Sequence, residues 1–180
     1  MAGLDDLYKE IILDHYRSPR NRGELPPPAT KTEGFNPLCG DEIELYVLFE
    51  DGVISDITIG GHGCSISQSS ASMMSAAVKG KSVEEALELT DKFKAMMSIP
   101  GAGKDDAAAE ESDSDAIAAA KASASSADLG AVAGGTEKPD LSMGDLSALK
   151  GVVKFPVRIK CATLSWNTLL EAIETAGAAS

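Results

Sequence analysis

Residues 42–50 alternate apolar and polar, placing Ile43, Leu45, Val47 and Phe49 on one side of an extended chain. Asp51-Gly52 follows, a pair suited to the two positive φ angles of a type I′ turn. Residues 53–59 then return through a second run rich in β-branched side chains. The pattern predicts an antiparallel hairpin with one buried face. Such a face is stable only when another apolar surface covers it, so the rest of the chain must supply that cover.

Helical signals flank the hairpin. Leu4, Leu7, Ile11 and Ile12 have helical spacing over residues 4–17, and Pro19 is a stop. Cys64 follows a glycine-rich strand exit, and residues 64–80 are mostly small, with Gly80 placed as a helix C-terminal glycine. Ser82 and Glu85 have the spacing of a capping box. Beyond them, Val83, Ala86, Leu87, Thr90, Phe93 and Met97 mark the inner face of a helix that Pro100 ends. A last helix is expected over residues 161–177, with Trp166, Leu169, Leu170 and Ile173 inward. Residues 20–34 read as turn-rich and extended because three consecutive prolines exclude helix. Residues 152–160 read as extended, and Pro156 argues against a central strand there.

Between Phe93 and Phe155 no aromatic residue occurs, and residues 101–135 contain thirteen alanines among Gly, Ser, Asp and Glu. Too little apolar surface exists there to offset the entropy of ordering. The expected organisation is therefore one domain, residues 1–100 with 146–180, interrupted by a low-complexity acidic insertion at 101–145. The net charge of −12 argues against nucleic acid as the partner. Residues 101–147 carry ten acids and three lysines, so −7 of that charge lies there. No run of eighteen apolar residues is present, and the first ten residues do not look like a secretion signal. A cytoplasmic location with no membrane partner is the expectation. Arg17, Arg20 and Arg22 form a basic cluster that could meet an acidic partner surface or be merely solvated.

Three cysteines, Cys39, Cys64 and Cys161, make no disulfide framework. On an extended chain Cys39 and Asp41 share the parity of Ile43 and Leu45, so both should face the interior. Cys64 and Cys161 are each expected at a helix start, where the positive end of the helix favours a thiolate. Three thiolates and a carboxylate suit a tetrahedral zinc ion, yet their scattered spacing matches no short zinc-finger pattern. Buried apolar cysteines explain the same residues equally well. His62, two residues before Cys64, could be a spare ligand or an exposed loop histidine. Arg158 and Lys160 flank Cys161 as possible auxiliary cations. His15 reads as a residue satisfied on its own helix or as a partner contact, and the Met73-Met74 and Met96-Met97 pairs as core filler.

Four stretches, "LYKEIILDHYRSPRNRG", "NPLCGDEIEL", "GGHGCSISQSSASMM" and "FPVRIKCATLSW", occur in the order seen in one superfamily. Together they resemble the SufU branch of the IscU/NifU N-terminal-type iron–sulfur cluster assembly proteins. The resemblance implies an α+β fold, a small antiparallel sheet of about three strands packed against helices. It implies that Cys39, Asp41, Cys64 and Cys161 are metal ligands for zinc, with iron or a [2Fe–2S] cluster at the same ligands as the alternative. Scaffold-type members carry histidine before the third cysteine; here that residue is Lys160, which with the insertion points to the SufU branch. The implied function is sulfur acceptance by Cys39 from a PLP-dependent cysteine desulfurase of the SUF system. Such a protein is a sulfurtransferase-like co-substrate and not a stand-alone enzyme, and it passes sulfur on to downstream SUF cluster-assembly proteins. The alternative is a scaffold on which a [2Fe–2S] cluster is assembled and transferred.

Overall fold

A computed structural model describes residues 3–97 and 143–178. Within them the expected hairpin is β2 (Asp41–Glu50) and β3 (Val53–His62), extended by β1 (Thr30–Asn36) into an antiparallel sheet of order β1-β2-β3. Asp51 and Gly52 have φ of +50° and +74°, as the tight turn between twisted strands requires. Ile43, Leu45 and Val47 are fully buried, and Ile59 and Ile57 stand opposite the last two. The register slips between Leu48 and Phe49, which lets the strand bend away at its end.

The cover for the buried face comes from helices α1 (Gly3–Arg17), α2 (Ser65–Val78), α3 (Val83–Met97) and α4 (Pro156–Ala178), with a 3-10 helix over Gly144–Lys154. In α2 the serines at 67, 69, 70, 72 and 75 are all buried. Small side chains let neighbouring chain approach closely, and their hydroxyls find partners. Ser70 donates to the carbonyl of Ala162 at 2.6 Å and accepts from Trp166 Nε1 at 3.2 Å, joining α2 to α4. Trp166 also stacks on Phe93 of α3, ring centres 4.5 Å apart. The capping box forms as expected: Ser82 N–H donates to Glu85 at 2.9 Å, and Glu85 N–H to the Ser82 hydroxyl at 3.2 Å. Met73, Met74 and Met97 are core residues, Met96 packs at its edge, and Gly80 has φ of +79° just past α2.

Several expectations need correction. Residues 152–160 are not extended: the 3-10 helix ends at Lys154 and Pro156 opens α4. Proline suits a first helical turn because its missing N–H has no partner there and its φ is already helical. Cys161 is consequently the sixth residue of α4 and not its start. The extended chain expected up to residue 34 includes the edge strand β1, Thr30–Asn36, which the sequence pattern does not assign as a strand. His62 is the last residue of β3 and not part of a loop. His15 is buried and is satisfied by distant groups, Ser72 Oγ at 2.8 Å and Asp145 Oδ2 at 3.1 Å. Of the basic cluster, Arg20 pairs with Asp14 at 2.6 Å, and Arg22 donates to the Gly61 carbonyl at 2.8 Å. The stop assigned to Pro100 and nearly all of the expected insertion lie outside the described residues. No helix among the described residues is long and apolar enough to cross a membrane.

Candidate metal and thiol centre

The link from β1 to β2 is built by Asn36. Its backbone carbonyl accepts the Gly40 N–H at 2.8 Å, and its Oδ1 accepts the Leu38 N–H at 3.1 Å. Gly40 takes φ of +67°, which lets the chain reverse without a Cβ clash. Two residues apart, the outcomes diverge. Cys39 sits on the turn and is exposed, whereas Asp41, the first residue of β2, is fully buried on the face of Ile43 and Leu45. The expected burial therefore holds for Asp41 and not for Cys39, which precedes the strand, although the donor atoms of both reach one group.

Asp41 meets the start of α2. Its Oδ1 accepts the Cys64 N–H at 2.8 Å, and its Oδ2 lies 3.6 Å from Cys64 Sγ. Cys64 is the residue that caps α2, its sulfur accepting the Ser67 N–H at 3.4 Å. The approach requires glycine beforehand. A Cβ at Gly63 would lie 2.6 Å from Asp41 Oδ1 and 2.7 Å from Ser67 Oγ.

From the other side α4 brings Cys161, fully buried, with its sulfur 3.3 Å from Cys39 Sγ. Asn36 Nδ2 donates toward the same Cys161 sulfur at 3.8 Å. One donor atom each from Cys39, Asp41 and Cys161 lie within 4.8 Å of one another, and Cys64 adjoins the group through Asp41. A tetrahedral zinc site has sulfur–sulfur edges of about 3.8 Å and sulfur–oxygen edges of about 3.5 Å, from its bond lengths. The 3.3 and 3.6 Å separations are near these values, so the donor set fits a metal of that kind.

Burial, together with hydrogen bonds to Cys39 and Asp41, pushes the Cys161 thiol far above its ordinary range in the metal-free protein. Arg158, exposed one turn before Cys161, is held in its charged form by attraction to Cys64, then Cys161 and Cys39. Its positive charge interacts with all three sulfurs. Lys160 is exposed beside Cys161. His62 is exposed and pairs with Glu42 at 3.5 Å, outside the three-residue donor group. The structure thus brings together Cys39, Asp41 and Cys161, with Cys64 touching the group through Asp41 and Arg158 interacting with the three sulfurs.

A model of the NifU-like N terminal domain matches residues 7–127. The chain belongs to the NifU-like N-terminal domain family. Among relatives of this family, the zinc-dependent sulfurtransferase SufU of Bacillus subtilis is 40% identical over 93% of this chain and 90% of its own. The iron–sulfur cluster assembly scaffold protein IscU of Streptococcus pyogenes is 37% identical over 97% of this chain and 87% of its own. A solved SUF-system cluster assembly scaffold protein of Fervidobacterium islandicum superposes with TM-score 0.63 at 28% identity, covering 89% and 91% of the two chains. The three-stranded sheet with its helices is accordingly the fold of this NifU-like family.

Asn36 and Gly63 escaped the sequence reading as contributors to the site. Asn36-Pro37, three residues before Cys39, is a turn-initiating pair and was a usable signal. Gly63 stands in a glycine-rich strand exit, and only the Asp41 contact shows what it accommodates.

Proposed function

We propose that this chain is a zinc-dependent sulfur acceptor in iron–sulfur cluster assembly, loaded by a PLP-dependent cysteine desulfurase of the SUF system and unloaded to later SUF proteins. Cluster assembly is what the names of its relatives share; sulfur transfer is the finer reading. The observation that carries it is the graded exposure of the sulfurs, with Cys39 exposed, Cys64 half-buried and Cys161 buried.

Asp41, Cys64 and Cys161 would hold the metal, with Cys39 as the fourth donor. Bound zinc supplies a positive charge that keeps thiols deprotonated and placed at neutral pH. The rest is done by this chain's own groups. Cys39 presents its thiolate on an exposed turn, where a partner's cysteine persulfide can reach it. Its sulfur attacks the outer, sulfane sulfur of that persulfide. A new bond forms from Cys39 to the sulfane sulfur, the partner's sulfur–sulfur bond breaks, and the partner's cysteine leaves as a thiolate. The product on this chain is a Cys39 persulfide; its proton passes to the departing thiolate, leaving a persulfide anion that the nearby Arg158 charge helps stabilise. The buried sulfur of Cys161 is inaccessible to such an exchange, which suits an anchoring role.

A scaffold function uses the same ligands, since thiolates and a carboxylate also suit a [2Fe–2S] cluster. The scaffold relatives favour this second reading. Metal analysis and a desulfurase assay on one preparation separate the two. Sulfur acceptance predicts about one zinc per chain, increased desulfurase turnover, and loss of that increase in a folded Cys39→Ala variant. A stable, transferable cluster without stimulation would establish the scaffold instead.

A further inference from the structure

Asn36 is buried at the end of β1 and is the cross-strand partner of Asp41. Three of its groups are engaged in three directions. The backbone carbonyl and Oδ1 receive the Gly40 and Leu38 N–H groups, closing the turn that carries Cys39. The remaining side-chain donor, Nδ2, points to Cys161 Sγ across 125 positions of sequence. One amide therefore joins the exposed turn that carries Cys39 to the buried helix α4. Carboxamide geometry makes this possible, because its acceptor and donor lie on opposite corners of one planar group.

We propose that Asn36 is a positioning residue that sets the spacing of the Cys39 and Cys161 sulfurs through two separable contacts. Oδ1 holds the turn, and the N–H donated by Nδ2 orients the Cys161 sulfur toward the shared centre. Groups behind a metal's ligands orient them in this way, and removing one typically lowers affinity about 10- to 100-fold. The inference rests on the cluster being a metal site, but not on sulfur transfer. Asn36 is buried, and its contacts reach the Cys39 turn and the Cys161 sulfur, so it acts through those two cysteines.

Two substitutions separate the contacts. Asn36→Ser retains a short acceptor that can receive the N–H two residues on, but it cannot reach Cys161. Asn36→Ala removes both. Amide hydrogen exchange of metal-free protein reports the turn, and competition against a chromophoric chelator reports zinc affinity. The thiolate-to-metal charge-transfer band of cobalt-loaded protein reports the sulfur contact. Faster Leu38 exchange is expected in Asn36→Ala and near wild-type exchange in Asn36→Ser. Zinc affinity should fall about tenfold or more in both, with the cobalt band shifted in both. Wild-type affinity and an unshifted band in Asn36→Ser would overturn the sulfur contact. Unchanged Leu38 exchange in Asn36→Ala would overturn the turn contact. Should Asn36→Ala not fold, Asn36→Ser still decides the sulfur contact, and Asn36→Leu, close in shape but with no acceptor, decides the turn, with wild-type Leu38 exchange overturning it. Failure of wild-type protein to stimulate a desulfurase would refute sulfur transfer while leaving these outcomes intact.

Discussion

Cys39 and Cys161 place their sulfurs 3.3 Å apart, yet the chain supports them in opposite ways. Cys39 stands on an exposed turn, held by hydrogen bonds from Leu38 and Gly40 to a single residue, Asn36. Cys161 lies in the second turn of a helix, fully buried, in a helix that packs on α2 through Ser70, Ala162 and Trp166. A turn closed by a few contacts can open locally at low free energy, whereas a packed helix opens only with much of the fold. Adjacent thiols thus differ in how readily each can move: Cys39 with its turn, Cys161 only with its packed helix.

The largest effect should appear in a direct competition between them. In metal-free protein treated with iodoacetamide, Cys39 should react about a hundredfold faster than Cys161, because Cys39 is exposed whereas the Cys161 thiol is buried and held neutral. Peptide mass spectrometry at timed quenches reads both rates. Comparable rates would remove the distinction between a donor turn and an anchoring helix.

Gly63→Ala strikes the buried side of the centre and leaves the turn alone. The added methyl would meet Asp41 Oδ1 at 2.6 Å and Ser67 Oγ at 2.7 Å, so the carboxylate must shift. Overpacking of this kind destabilises by about 1–3 kcal/mol, and zinc affinity should fall with it. Chelator competition and thermal denaturation measure the two, while Cys39 alkylation in metal-free protein should change little. Unaltered zinc affinity would show that Asp41 does not need its present position.

A smaller effect concerns pH in metal-free protein. Burial holds the Cys161 thiol neutral in the folded chain, while in the unfolded chain it ionises at an ordinary value of about 8.5. Above that pH the unfolded state binds fewer protons than the folded one, so stability falls as pH rises. Below it the contribution is fully present. Denaturant titrations between neutral and alkaline pH should show this fall, and Cys161→Ser should flatten it. An equal slope in Cys161→Ser would assign the dependence to other groups.

Much of the fold was legible because its signals are local. The Asp51-Gly52 turn, the capping box of Ser82 and Glu85 and the 42–50 alternation each depend on neighbours within a few residues. The failures share the opposite cause. Pro156 says that a strand is unfavourable but does not choose between a coil and the first turn of α4. Thr30–Asn36, read as extended up to residue 34, has weak apolar alternation, and only its pairing with β2 makes it a strand. His15 found its partners 57 and 130 positions away, beyond any periodicity.

The sequence alone determined the hairpin, the helix boundaries that carry caps, and the sulfur and carboxylate donors available, since these follow from local backbone preference and residue chemistry. Only the tertiary structure decided which thiol is exposed, where Asn36 aims its amide, and that Cys39 meets Cys161 across 122 positions. That meeting depends on α4 packing against the sheet and α2. Burial and distance are properties of the packed chain, which no stretch of residues contains by itself.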